Sequence, residues 1–136
     1  MPGHVLIFDP MVTNRLMLKA QLAQDFFEVS LAAEPVEFFD ALRQRPPDVI
    51  LMSYASERLN EFAAIHRVRN TPNVSHLPIV FLNNGDDPHI WDQSHDCLVD
   101  DVLGYSSDRW LLTARLNLLI RGKERVDALF ARQRTI

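Results

Sequence analysis

Asp9 and Ser53 are the two residues whose types and positions invite a chemical reading. Asp9 follows the apolar run Val5-Leu6-Ile7-Phe8, and Ser53 follows Val49-Ile50-Leu51-Met52. Such runs read as strands covered on both faces, each delivering its last residue to the carboxyl edge of a parallel sheet. In an open α/β sheet that edge is where ligands and chemistry sit. Pro10, Asn83 and Tyr105 reach the same edge from neighbouring strands. A serine nucleophile needs a base and an oxyanion hole. His66 and His76 fall on the third helix and its exit, His89 and His95 around a fourth, and His4 at the far end of the first strand. None is spaced as a triad partner. Asp48 precedes its strand and belongs at the opposite end of the sheet, while Asp86, Asp87, Asp100 and Asp101 read as solvated loop acids. No catalytic residue and no metal-ligand set is assigned.

The elements that must position these residues alternate. Strands are expected at His4–Phe8, Phe26–Leu31, Pro47–Ser53, Leu77–Leu82 and Leu98–Leu103. Between them, apolar residues at helical spacing predict a helix capped by Thr13 or Asn14. A second is started by Pro35, with Val36, Phe38, Phe39 and Leu42 as its buried face. A third spans Asn60–Arg69 with Arg67 and Arg69 outward, a weaker one Pro88–Asp96, and a final one runs from Asp108 to about Arg132. This βαβαβ alternation implies right-handed crossovers and helices on both faces. The fold class is α/β, a flavodoxin-like three-layer sandwich with five parallel strands in the order 2-1-3-4-5.

Composition narrows the function classes. The chain has 136 residues, a length suited to about one domain. Its net charge of −4, with arginines dispersed among acids, argues against a nucleic-acid footprint. The single cysteine, Cys97, cannot form an internal disulfide and reads as structural. No run is long enough for a signal peptide or a membrane span, so a cytoplasmic location is expected.

Val5-Leu6-Ile7-Phe8-Asp9, Pro47-Asp48-Val49-Ile50-Leu51-Met52 and Leu77-Pro78-Ile79-Val80-Phe81-Leu82 resemble the first, third and fourth strands of response-regulator receiver (CheY-like) domains. Asn14-Arg15-Leu16, Phe27-Glu28-Val29-Ser30 and Thr113-Ala114-Arg115-Leu116 further resemble the N-terminal receiver of PleD-type diguanylate cyclases. The resemblance implies an edge where two acids and an acceptor aspartate hold Mg²⁺, a hard ion wanting oxygen ligands. A Thr or Ser and a lysine there bind the phosphoryl group that the acceptor takes. Of these parts only the first acid, Asp9, is kept. Pro10 stands for the second acid, Ser53 for the acceptor, Asn83 for the switch hydroxyl and Tyr105 for the lysine. The expectation is a degenerate site that binds no Mg²⁺ or other cofactor. Tyr105 is expected either to fill the vacated pocket, hydrogen-bonding Ser53 or Asp9, or to serve packing alone.

On the last helix Leu112, Leu116, Leu119, Val126 and Phe130 recur at steps of four and three, with Lys123 at the intervening place. Its first half reads as home-core packing, and its continuation with Val126, Leu129 and Phe130 as a surface for a partner. Gly122 is a candidate hinge, which divides the chain into a receiver-like domain, 1–122, and a helical extension, 123–136.

The expectation is a pseudo-receiver in two-component or cyclic-di-GMP signalling. It would act by protein–protein interaction, as a homodimer or with a partner signalling protein or output domain, and would have no enzymatic activity. The face expected to dock is made by the segment His89–Asp96, the last strand and the last helix. One alternative is a receiver that responds to phosphorylation through an atypical residue. The other is a small flavodoxin-fold enzyme or cofactor binder, which Asp9-Pro10-Met11-Val12-Thr13 disfavours because it is no Gly-rich phosphate cradle.

Overall fold

Strands β1 (His4–Phe8), β2 (Glu28–Ala32), β3 (Val49–Tyr54), β4 (Ile79–Asn83) and β5 (Asp101–Gly104) pair in parallel in the order β2-β1-β3-β4-β5, the expected flavodoxin-like topology. The computed structural model describes residues 3–54, 61–83, 99–104 and 109–134. Within these, the strands alternate with helices α1 (Val12–Gln24), α2 (Pro35–Gln44), α3 (Glu61–Arg69) and α4 (Arg109–Arg134). The expected helix over Pro88–Asp96 lies outside the described residues.

Successive strand residues point to opposite faces, so the sheet feeds two apolar layers. Val5, Ile7, Val49, Leu51, Val80 and Leu82 pack against α1 through Leu18 and Leu22, and against α4 through Leu112, Leu116 and Ile120. Leu6, Phe8, Ile50, Met52, Ile79 and Phe81 meet Phe38 and Phe39 of α2 and Ile65 and Val68 of α3. Phe8 and Phe38 stack with centroids 4.6 Å apart. By the same parity Asp9 and Ser53 continue the α1/α4 side of their strands, one residue beyond Phe8 and Met52, which pair in register.

Several boundaries differ from the sequence expectation. Helix α1 starts at Val12 with Met11 as its N-cap and no side-chain cap, so neither Thr13 nor Asn14 serves. Strand β2 starts at Glu28 because Phe26 adopts a left-handed conformation, φ 67°. Phe26 N–H donates to Ala23 O and Phe27 N–H to Leu22 O, a Schellman closure of α1. Val36 faces solvent, 71% exposed, so α2 buries Phe38, Phe39 and Leu42 alone. Strand β4 starts at Ile79, after a buried Leu77-Pro78 whose Pro78 carbonyl accepts Ile50 N–H, and β5 starts at Asp101. Arg69 does not point outward. Its guanidinium folds over the C-terminal end of α3 to donate to Leu77 O and to Asp100.

Candidate functional site

Asp9 is fully buried at the end of β1, and each of its four polar atoms has a partner within the protein. Its N–H donates to Ala32 O at 3.0 Å, tying it to the end of β2. Its carbonyl accepts the Arg15 guanidinium at 2.8 Å. Its Oδ1 accepts Met11 N–H at 2.8 Å, taking one of the amide donors that the first turn of α1 leaves open. Its Oδ2 accepts the Ser53 hydroxyl at 2.5 Å, and Ser53 is itself buried. Charge-assisted bonds of this kind are stronger than neutral ones, and the site's low exposure keeps water from competing.

The other edge residues surround this pair. Pro10 is exposed and offers neither a side-chain oxygen nor an N–H. Asn83 is half-buried at the end of β4, level with Tyr54 on β3 and Gly104 on β5. Tyr105 lies outside the described residues, and with it the expected contact to Ser53 or Asp9. Among the described residues no three His, Cys, Asp or Glu side chains come together as a metal-binding group. Arg15, which donates to the Asp9 carbonyl, carries no sequence signal for that role. It sits six residues on, and only the turn between β1 and α1 brings it back.

Of the acids assigned elsewhere, Asp48 and Asp100 are structural, and Asp86 and Asp87 lie outside the described residues. Asp48 accepts His4 N–H at 2.7 Å at the amino edge of the sheet. Asp100 accepts Ile79 N–H at 2.7 Å and pairs with Arg69. Near them His4 is buried, with Nε2 bonded to Ser30 Oγ at 2.6 Å and Nδ1 without a partner. Burial, followed by the positive charge of Arg45, holds the His4 pKa below its ordinary value of 6.5.

Helix α4 divides into a buried and a free half. Leu112 and Leu116 are buried in the home core and Leu119 packs at its edge, so these three face the sheet. Val126, Leu129 and Phe130 are 40%, 57% and 55% exposed. Asp25, after α1, accepts from Arg109 at 2.8 Å and Thr113 at 2.7 Å, and these bonds hold its carboxyl below the usual carboxylate range. Beyond the core, Asp127 reaches Lys123 at 2.7 Å and His76 at 3.4 Å, while Lys123 lies 3.8 Å from Asp48. The helix runs unbroken through Gly122, which is therefore no kink in this structure.

No family model matches the chain. It is 26% identical over 133 residues to the response regulator PleD of Caulobacter vibrioides, an alignment covering 98% of this chain and 29% of PleD. The chain thus spans less than a third of that relative. Among solved structures, the receiver domain of a signal transduction histidine kinase from Syntrophus aciditrophicus superposes with a TM-score of 0.79 at 21% identity, covering 88% of this chain and 91% of that one. Chemotaxis protein CheY4 of Vibrio cholerae gives a TM-score of 0.79 at 20% identity, covering 88% and 99%.

Proposed function

We propose that this chain, a homologue of the response-regulator receivers, is a pseudo-receiver: a signalling module that works by docking to other proteins and takes no aspartyl phosphate. The observation that carries this reading is the closed hydrogen-bond set around Asp9. In a receiver site Asp9 would turn its carboxylate to Mg²⁺ and the acceptor carboxylate would complete the ligand set. Here both Asp9 oxygens accept from protein donors, one of them the hydroxyl of the residue at the acceptor position. Magnesium fits this arrangement poorly, because Pro10 and Ser53 supply no carboxylate and the remaining one is already satisfied. Ser53 donates its hydroxyl to this buried carboxylate, which Met11 N–H engages at its other oxygen.

The output then rests on surfaces that do not need phosphorylation. The free half of α4 supports this, with Val126, Leu129 and Phe130 beyond reach of the home core and anchored in direction by Asp127 and Lys123. The partner is another signalling protein, an output domain or a second copy. No described helix is long and apolar enough to cross a membrane.

Incubation of the chain with Mg²⁺ and acetyl phosphate, followed by intact-mass measurement, tests the proposal. We expect no phosphoryl adduct under conditions where an ordinary receiver is modified. An adduct mapped to any residue of the carboxyl edge would overturn the reading in favour of a receiver with an atypical acceptor.

A further inference from the structure

Helix α4 holds seven of the chain's 14 lysines and arginines but two of its 18 acids, leaving it at +5 in a chain of net charge −4. Its outward side is ordered. Leu111, Leu118, Gly122 and Leu129 follow one another at steps of seven, four and seven, which places them on one line along the helix. Ala114, Arg121, Arg125 and Arg132 repeat the same steps three residues later, forming a parallel line beside the first. All eight residues are exposed. Arg121 and Arg125 form no ion pair among the described residues. Nothing lies within 4 Å of where a Gly122 Cβ would stand, so the middle of the leucine line is open to close approach by another backbone.

We propose that this outward face is the seat of an amphipathic helix of a different protein, one whose apolar stripe is flanked by Asp or Glu. The inference deepens the docking reading above by naming the partner's chemistry. Leucines at heptad steps, joined at the C-terminal end by the exposed Val126 and Phe130, suit the knobs of a single helix. A bilayer-surface helix instead buries a broad apolar face. A second copy fails on charge. If two α4 helices met antiparallel on the leucine line, the arginine lines would oppose each other. If they met in parallel, the arginine line would face the opposite flank of the other copy, which holds Arg115, Val126 and Gln133, and the acid beside that flank, Asp101, is already paired with Arg115 at 3.6 Å. The two acids of the helix do not help: Asp127 is engaged by His76 and Lys123, and Glu124 lies on the far side of the arginine line. Like charges brought together in an interface select against the wrong partner.

The test uses the full chain and a fluorescent helical peptide with a leucine stripe flanked by glutamates, compared with the same peptide carrying lysines. The glutamate peptide should bind at least about tenfold more tightly, and raising salt from about 50 to 200 mM should narrow that difference as the charges are screened. The triple variant R121E/R125E/R132E should reverse the preference, and Leu118→Asp should abolish binding of both peptides. Amide spectra of the sheet, unchanged in each variant, confirm folding. Equal binding of the two peptides, or none, overturns the proposal. So does a solution dimer that survives charge reversal, or binding to phosphatidylserine vesicles in preference to the peptide. A phosphoryl adduct at the sheet edge would remove the pseudo-receiver reading and leave this inference standing. A failed peptide arm would do the opposite.

Discussion

At the scale of residues, the Asp9–Ser53 pair sets the behaviour of the site. Ser53→Ala removes the hydroxyl that donates to the buried Asp9 Oδ2, which should cost about 1–3 kcal/mol in urea denaturation. Ser53→Asp should cost more, because two buried carboxylates side by side resist joint ionisation. Its deficit should grow as pH rises through the carboxylate range. His4 adds a second pH dependence. Its folded pKa lies below the unfolded value, so the unfolded chain binds more protons in that window and stability falls as pH drops below about 6.5. His4→Gln should flatten this part of the stability profile. The meeting of Asp9 and Ser53 could be read in the sequence because each ends an apolar run of matching length and strand parity is rigid. The part played by Arg15 could not. A contact six residues away depends on how a turn closes, and an arginine after a strand has many partners within reach.

Elements were legible where apolar patterning set them and blurred where the local backbone decided. Strand order follows from the alternation of runs, but the start of β2 depends on Phe26 taking the left-handed conformation, which a bulky residue seldom does. Its ring is 83% exposed, so little packing repays the strain. Phe26→Gly should therefore stabilise the domain by about 1 kcal/mol, seen as a higher denaturation midpoint. Val36 fits the helical period of α2 yet points to solvent, because Phe38, Phe39 and Leu42 already cover the sheet. On α4, Gly122 has empty space around it, and Gly122→Ala should raise helix stability by up to about 1 kcal/mol. Slower amide exchange across residues 118–126 would register the gain. Unchanged exchange there would mean the free half of the helix is not formed in solution.

Across the whole molecule, a flavodoxin-like architecture carries a sheet edge whose buried Asp9 is bonded from within. The sheet and its two apolar layers hold Asp9, Ser53 and Asn83 at its carboxyl edge, and hydrogen bonds inside the protein engage both carboxylate oxygens of Asp9. Under the proposed reading, binding shifts to α4, whose leucine and arginine lines run along its outward side from Leu111 to Arg132. A ligand can move a two-state equilibrium only as far as its affinities for the two states differ. A site without affinity for a phosphoryl group gives phosphorylation no lever on α4. The most direct measurement is an amide NMR titration of the full chain with Mg²⁺ and beryllofluoride, a phosphoryl mimic. The account predicts that Asp9, Ser53, Asn83 and Gly104 keep their positions beyond the general effect of salt. Saturable shifts at those amides, spreading to α4, would contradict it.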